Sequence, residues 1–249
     1  MKLTIMQPYF LPYIGYWQLI ANSDEFIFFD VVQYNKRSWM NRNRVLHPDK
    51  EKEFQYVSVP IVKHIRGTLI NDVKVNNTEK WKQKILDQLT VYNKLKAPFY
   101  EETIELVLSI LNQNYDSFLE LSIETTKLIC EYIDIKFQYQ LASNISFDRD
   151  SIEKPGDWAL EISKKLNATH YINPPGGYEI FDEDKYKLNN IGLIFLKPNL
   201  TKYKQAWRAD FQAGLSIIDV LMFIHKDEVN SLLLGDFRLM TKADMIKNI

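Results

Sequence analysis

The opening residues constrain the fold of this chain more than any other stretch. Leu3–Met6 reads as a short apolar strand, and Gln7-Pro8-Tyr9-Phe10-Leu11-Pro12 stops it abruptly before a helical pattern over about 12–22. Proline fixes φ and lacks an N–H, so the turn is stiff. At the first helical position, where Pro12 is expected, the missing N–H would have had no partner anyway. A second apolar strand is predicted over Phe26–Phe29. Strand, helix and strand make a βαβ unit whose crossover is expected to be right-handed and whose strands are parallel. Gln7 and Asp30 then stand at the carboxyl ends of neighbouring strands and are expected to share a crevice. Open α/β sheets bind their ligands there, and a helix N-terminus at that edge offers N–H groups to a phosphate.

Further along, a third strand is predicted near Phe54–Pro60 and a short one near Ile70–Val75. From Thr78 the pattern becomes helical: Trp81, Ile85, Leu89 and Tyr92 share one face, with Asn77 or Thr78 as cap, and further helices start near Pro98 and Asp116. Residues 78–134 thus read as a helical region packed against or inserted into the sheet. Alternation returns at Ile135, Phe137, Tyr139 and Leu141. A helix after Gly156 and strands at Thr169–Ile172 and Gly192–Leu196 follow, and helices over Ser216–Ile224 and Asp227–Leu234 close the pattern. Asn173-Pro174-Pro175-Gly176-Gly177 is rich enough in Pro and Gly to be a rigid ligand-side loop. The expected fold is α/β, with a Rossmann-like parallel sheet and an accessory helical region, in one unit over 1–249.

Charge and composition narrow the function. With 31 Lys plus Arg against 32 Asp plus Glu, the net charge of −1 gives no general attraction to nucleic acid. Cys130 is the single cysteine and sits in a helical apolar pattern, so it reads as core and excludes both an intrachain disulfide and a cysteine-rich zinc site. His47, His64, His170 and His225 lack metal spacing, and no metal site is expected. No apolar run of about 18 residues occurs, and no cleavable leader is recognised, so a cytoplasmic location without membrane insertion is expected. The Gly-x-Ser-x-Gly, Walker A and Gly-x-Gly-x-x-Gly patterns are missing, which disfavours serine hydrolases, P-loop kinases and ordinary NAD enzymes.

The strongest local signal is Val31 to Pro48, which carries Lys36, Arg37, Arg42 and Arg44 and no acidic residue. Cations placed directly after a strand end suit a diphosphate, and Tyr34 and Trp39 suit stacking on a base or sugar. The candidate substrate-binding residues are Tyr13, Tyr16, Gln33, Lys36, Trp39, Asn41, Arg42, Asn43 and Gln205. The candidate catalytic residues are Gln7, which can donate to or accept from a substrate, and Asp30, a candidate base toward an attacking amine. Tyr13 and Tyr16 are three apart and serve core packing equally well. Ser216 and Asp219 have the spacing of a capping-box variant, a sufficient structural explanation. Lys204 and Gln205, upstream of Trp207, are weak counterparts of a mobile lysine loop.

Tyr13-Ile14-Gly15-Tyr16 resembles the HIGH signature of nucleotidyl-transferring and adenylate-forming α/β enzymes, with tyrosine in both histidine places. Together, the Gln-Pro-Tyr-Phe-Leu-Pro-Tyr-Ile-Gly-Tyr opening and the run Asp30-x-x-Gln33-Tyr34-x-Lys36-x-x-Trp39-x-Asn41-Arg42-Asn43 resemble the WbqC-like family, most specifically over residues 5 to 45. The resemblance implies a bacterial protein of surface-polysaccharide (O-antigen, lipopolysaccharide) biosynthesis acting on a nucleotide-linked amino sugar. It implies a transferase that attaches glycine or a similar acyl group to the sugar amine, with an amino-acid or acyl donor as second partner. The chain departs from the family at Phe223-Ile224-His225-Lys226-Asp227, where a glycine-bearing turn would follow the Ser-Ile-x-Asp helix. No cofactor is identified; ATP fits the HIGH outline, and an aminoacyl-tRNA remains open as donor. Two other readings stay open, an ATP-dependent adenylating ligase or nucleotidyltransferase of HIGH type and a non-catalytic sugar-nucleotide-binding protein.

Overall fold

In a computed structural model the chain is described over residues 1–36, 38–49, 51–205 and 210–247, so Arg37 and Trp207 lie outside the described residues. The βαβ start is present as β1 (Lys2–Met6), α1 (Ile14–Ala21) and β2 (Glu25–Phe28), with β1 and β2 parallel and Ile5 opposite Ile27. A two-stranded antiparallel ribbon follows, β3 (Arg42–Leu46) and β4 (Phe54–Ser58), separate from the main sheet. Three helices come next, α2 (Trp81–Lys94), α3 (Tyr100–Leu111) and α4 (Phe118–Tyr132). The chain then returns to the sheet through β5 (Tyr139–Leu141), α5 (Asp157–Lys165), β6 (His170–Asn173), α6 (Glu183–Leu188) and β7 (Gly192–Pro198). Last come α7 (Ile217–Phe223), α8 (Lys226–Gly235), β8 (Phe237–Met240) and α9 (Lys242–Lys247).

The main sheet runs in the order β5-β2-β1-β6-β7-β8 and is parallel except for β8 against β7. This is a Rossmann-like α/β sheet flanked by helices. Both faces are covered because the strands are apolar on both sides, as parallel sheets require. Leu3, Ile5 and Ile27 face a core with Ile162, Tyr171 and Phe195 on the α5–α6 side. Phe26 and Phe28 join Tyr16, Trp17 and Ile20 of α1 and the helical region on the other. The chain passes from β1 to β2 on one side and from β6 to β7 on the other, so the topology reverses between β1 and β6. Helices α2–α4 fall in the chain between β2 and β5, which are adjacent strands, and so elaborate that crossover.

Several expectations need correction. Helix α1 starts at Ile14 with Tyr13 at the cap, so Pro12 precedes the helix; its carbonyl instead accepts from Trp17 Nε1 at 3.0 Å and from the Ile217 N–H at 2.9 Å. Residues 70–75 form a 3₁₀ turn over Ile70–Asp72, with Val75 only bridging Ile61. Lys80 occupies the cap of α2, because Asn77 is engaged by Tyr115 O and Trp81 Nε1. Asp219 does not complete a capping box. Ser216 caps α7 alone, accepting from Ile218 N–H, while the Asp219 side chain turns elsewhere. Strand β3 is not among the expected elements, because Asn41-Arg42-Asn43-Arg44 carries no apolar alternation and reads as a basic, phosphate-side stretch. The ribbon forms because Val45 and Leu46 are fully buried, Asn43 is nearly so, and the intervening arginines lie across aromatic rings.

Candidate functional site

The turn after β1 is held from several directions. Leu11 adopts a left-handed φ of +48°, an unfavourable conformation for a side chain with a Cβ, costing on the order of 1–3 kcal/mol. It is held there by Ser216 Oγ, which donates to the Leu11 carbonyl at 2.8 Å, by the Phe10 N–H on Met40 O at 2.7 Å, and by the Tyr16 hydroxyl on Gln7 O at 3.0 Å. Gly15 is required locally: a Cβ there would stand 2.5 Å from the Tyr13 ring, which folds back over the first turn of α1. No side chain caps that helix; the Tyr16 N–H turns to the Tyr13 carbonyl at 3.1 Å, and the partial positive charge of the helix end lies beside Tyr13 and Tyr16.

Beyond the carboxyl ends of β1 and β6, at the point of topological reversal, lies a cavity of about 750 Å³. Its α1 wall is Tyr9, Pro12, Tyr13 and Tyr16; the Asn173–Gly177 loop faces it, and Trp39, Asn43, Arg44 and Gly214 close the third side. Trp39 is 43% exposed, and the guanidinium groups of both Arg42 and Arg44 lie over its ring, at 5.7 and 5.3 Å from the centroid. Arg44 also covers Phe54 and donates from Nη2 to Gly214 O at 3.0 Å. Its other guanidinium N–H groups have no partner among the described residues. Asn43 is nearly buried; its Oδ1 accepts from the Arg44 N–H, and its Nδ2 donates to no described residue. Burial raises the pKa of the Tyr13 hydroxyl, and burial followed by the neighbouring Tyr13 raises that of Tyr9, so both remain neutral hydrogen-bond partners near neutral pH.

The Gly214 side of the cavity hangs from a buried carboxylate. Asp219 has no exposed surface; its Oδ1 accepts from the Tyr92 hydroxyl at 2.7 Å, and its Oδ2 accepts from the Tyr203 hydroxyl at 2.5 Å and Gln205 Nε2 at 2.7 Å. Gln205 in turn accepts from the Gln212 N–H through Oε1 and donates to Gln212 O, tying Gln212 to Asp219 of α7. Burial and the Asp219 charge push the Tyr203 hydroxyl far above its ordinary range.

A second cavity, of about 720 Å³, opens on the α5 side of the same strand ends. It shares Met6, Tyr9 and Asn173 with the first. Asn173 is held by the Tyr171 hydroxyl on its Oδ1 and by its own Nδ2 on Pro174 O.

The structure brings Tyr13, Tyr16, Trp39 and Asn43 together around the first cavity and Gln7 and Gln33 around the second. The remaining candidates stand elsewhere. Asp30 is fully buried, and its Oδ1 accepts from the Ser143 N–H, because β5 pairs with β2 and the turn after β5 folds over the end of β2. Gln7 and Asp30 therefore do not open into one crevice. Arg42 is turned to Trp39 and Tyr56, outside the cavity walls; the next arginine on the same face of β3, Arg44, reaches them instead. Asn41 donates to Val59 O and stitches the ribbon, Lys36 is exposed, and Gln205 serves Asp219 rather than a ligand. Tyr34 is core, packed on Phe118 and His64. Residues 173–177, expected as a loop, instead end β6 at Asn173 and begin a 3₁₀ helix over Pro175–Ile180, and they line the first cavity. Tyr9 and Asp219 are not among the site residues expected from the sequence, yet Asp219 was findable: a carboxylate inside Ile217-Ile218-Asp219-Val220-Leu221-Met222 must be buried, and a buried carboxylate needs donors. Among the described residues no group of three or more His, Cys, Asp or Glu is placed to hold a metal ion, and no helix is long and apolar enough to cross a membrane.

A protein of Mycobacterium tuberculosis (strain ATCC 25618 / H37Rv), named Uncharacterized protein Rv1507c, is 28% identical over 224 residues, covering 88% of this chain and 92% of its own. No solved structure matches. The profile of the WbqC-like protein family matches residues 7–231, from the first residue of the turn to helix α8. The chain belongs to the WbqC-like protein family.

Proposed function

We propose that the protein is a transferase of bacterial surface-polysaccharide biosynthesis that binds a nucleotide-linked deoxyamino sugar and joins an acyl group to its amine. Membership of the family suggests a biosynthetic role. The observation that carries the reading is the first cavity: about 750 Å³ at the topological switch point, bounded by an uncapped helix N-terminus, a guanidinium with donors to spare and an exposed indole. Each suits one part of a sugar nucleotide. The indole of Trp39 stacks a base, Arg44 and the N-terminus of α1 take the diphosphate, and the sugar extends toward Tyr9 and Asn173.

In the reaction the amine nitrogen's lone pair forms a bond to the carbonyl carbon of an activated acyl donor, a thioester or an aminoacyl ester. The bond from that carbon to sulfur or oxygen breaks, the leaving group takes the electron pair, and the proton lost by nitrogen ends on it. Such an aminolysis needs no metal and no triad. Holding both reactants in one site supplies up to roughly 7–11 kcal/mol of the barrier reduction. Asp30, sealed behind Ser143, is given a positioning role at the end of β2, and no proton is routed through it.

The test is incubation with a panel of dTDP- and UDP-aminosugars, acyl donors, glycine and ATP, followed by mass spectrometry of the nucleotide sugar. A mass gain equal to one acyl group supports the reading. Pyrophosphate and AMP formation assigns an adenylating ligase instead, binding without any mass change assigns a carrier, and no binding of any nucleotide overturns the site.

A further inference from the structure

Resting on that reading, we infer that the second cavity is the acyl subsite, and that the acyl group it takes is large and apolar, of the aromatic or branched-chain carboxylic acid class. The two cavities lie on opposite faces of the sheet at the same strand ends and meet at Met6, Tyr9 and Asn173. Strand geometry produces this division. Successive side chains point to opposite faces, so Ile5 and Tyr171 look toward α5 while α1 covers the other face. An amine presented from the first cavity reaches the boundary residues, so an acyl carbon attacked there carries its side chain into the second.

The walls specify what that side chain is. Phe29 meets Trp158 edge to face at 5.5 Å, and Tyr171 packs on Phe181 at 5.4 Å, lining an open, largely apolar cavity of about 720 Å³. A glycyl group fills a small part of such a space and gains nothing from its rings. An aromatic or branched group buries its apolar surface against them. The polar wall residues are Gln7, Gln33, Glu153, Lys154 and Asn173, with Gln7 and Asn173 at the strand ends, where a carbonyl belongs. The Gln7 side-chain amide has no partner among the described residues.

The experiment measures binding of phenylacetate, isovalerate and acetate to the full chain by saturation-transfer NMR and calorimetry, with UDP binding measured on the same sample. The expected result is phenylacetate binding at least tenfold tighter than acetate, with isovalerate between them. The Ile180→Trp variant, made at a position 48% exposed on the cavity wall, is expected to lose phenylacetate while keeping UDP affinity and thermal midpoint. Equal binding of phenylacetate and acetate, or none, with UDP still bound overturns the acyl-subsite inference and leaves the nucleotide reading intact. Loss of UDP binding with phenylacetate still bound sinks the nucleotide reading, and with it the sugar-acylation role of the chamber, while its apolar ligand class stands. Phenylacetate affinity unchanged in Ile180→Trp places that ligand outside the cavity and also overturns the inference.

Discussion

Replacing Asp219 by asparagine tests whether one buried carboxylate holds the wall of the first cavity. The substitution keeps shape and volume but exchanges one oxygen for a donor N–H₂ among three groups that themselves donate: the Tyr92 and Tyr203 hydroxyls and the Gln205 amide. A hydrogen bond to a charged group contributes about 1.5–3 kcal/mol and a neutral one about 0.5–1.5 kcal/mol. The introduced amide offers only neutral bonds and turns a donor toward these donors, while the protein no longer buries a charge, which offsets part of the loss. The net destabilisation is about 2–4 kcal/mol. Urea unfolding at pH 7 reads it as a lowered midpoint with unchanged slope, and calorimetry as a fall of about 2–4 °C per kcal/mol for a chain of this size. Tyr203→Phe removes a single donor and is expected to cost less than Asp219→Asn. A loss below about 0.5 kcal/mol in Asp219→Asn, well under the net worth of one such bond, refutes the claim that the charge organises this network. The same variant is expected to weaken UDP binding, because Gln205 and Gln212 no longer fix the segment that reaches Gly214.

Arg44→Ala is expected to weaken nucleotide binding by about 1.5–3 kcal/mol, or roughly 10- to 150-fold in Kd, in calorimetric titration, with Arg42→Ala as the milder control. Unequal effects in the opposite order remove Arg44 from the site. Gly156→Ala places a Cβ 2.1 Å from the Ile180 carbonyl oxygen, a backbone atom, and is expected to destabilise by at least about 2–3 kcal/mol in urea unfolding. A wild-type midpoint shows that α5 can move. Asp157 is nearly buried, and burial alone raises its pKa; the hydrogen bond from Lys185 at 2.9 Å and the N–H groups of Lys154 and Glu153 outweigh that, leaving the pKa below the usual carboxylate value. A depressed folded pKa stabilises above the unfolded value and stops doing so as pH falls through the folded one. The stability gap between wild type and Asp157→Asn is therefore expected to be level from pH 7 to about 5 and to shrink below about pH 4. A gap that widens on acidification contradicts this sign.

Much of the architecture was legible because it rests on local patterns. The β1–α1–β2 start follows from an apolar run, two prolines and a second apolar run, and the helical region from Trp81, Ile85, Leu89 and Tyr92 recurring on one face. What escaped was stabilised from a distance. Strand β3 hides behind arginines whose guanidinium groups settle on Trp39, Tyr56 and Phe54, a pairing that exists only once β4 is beside it. Strand β8 is a four-residue edge on β7 with little alternation of its own.

The candidate site divides the same way. Sequence alone determined that a stiff turn after the first strand would meet a helix N-terminus and that aromatic and cationic residues would follow the second strand. Chain-local stereochemistry is enough for each of these. Only the tertiary structure decided that Arg44 rather than Arg42 reaches the cavity, that Asp30 is covered by the turn after β5, and that Asp219 carries the far wall. Those outcomes depend on which strand lies beside which and which donors surround a buried charge, contacts between residues as far apart as Asp30 and Ser143 or Tyr92 and Asp219, and such contacts come into being only when the sheet and its helices close around them.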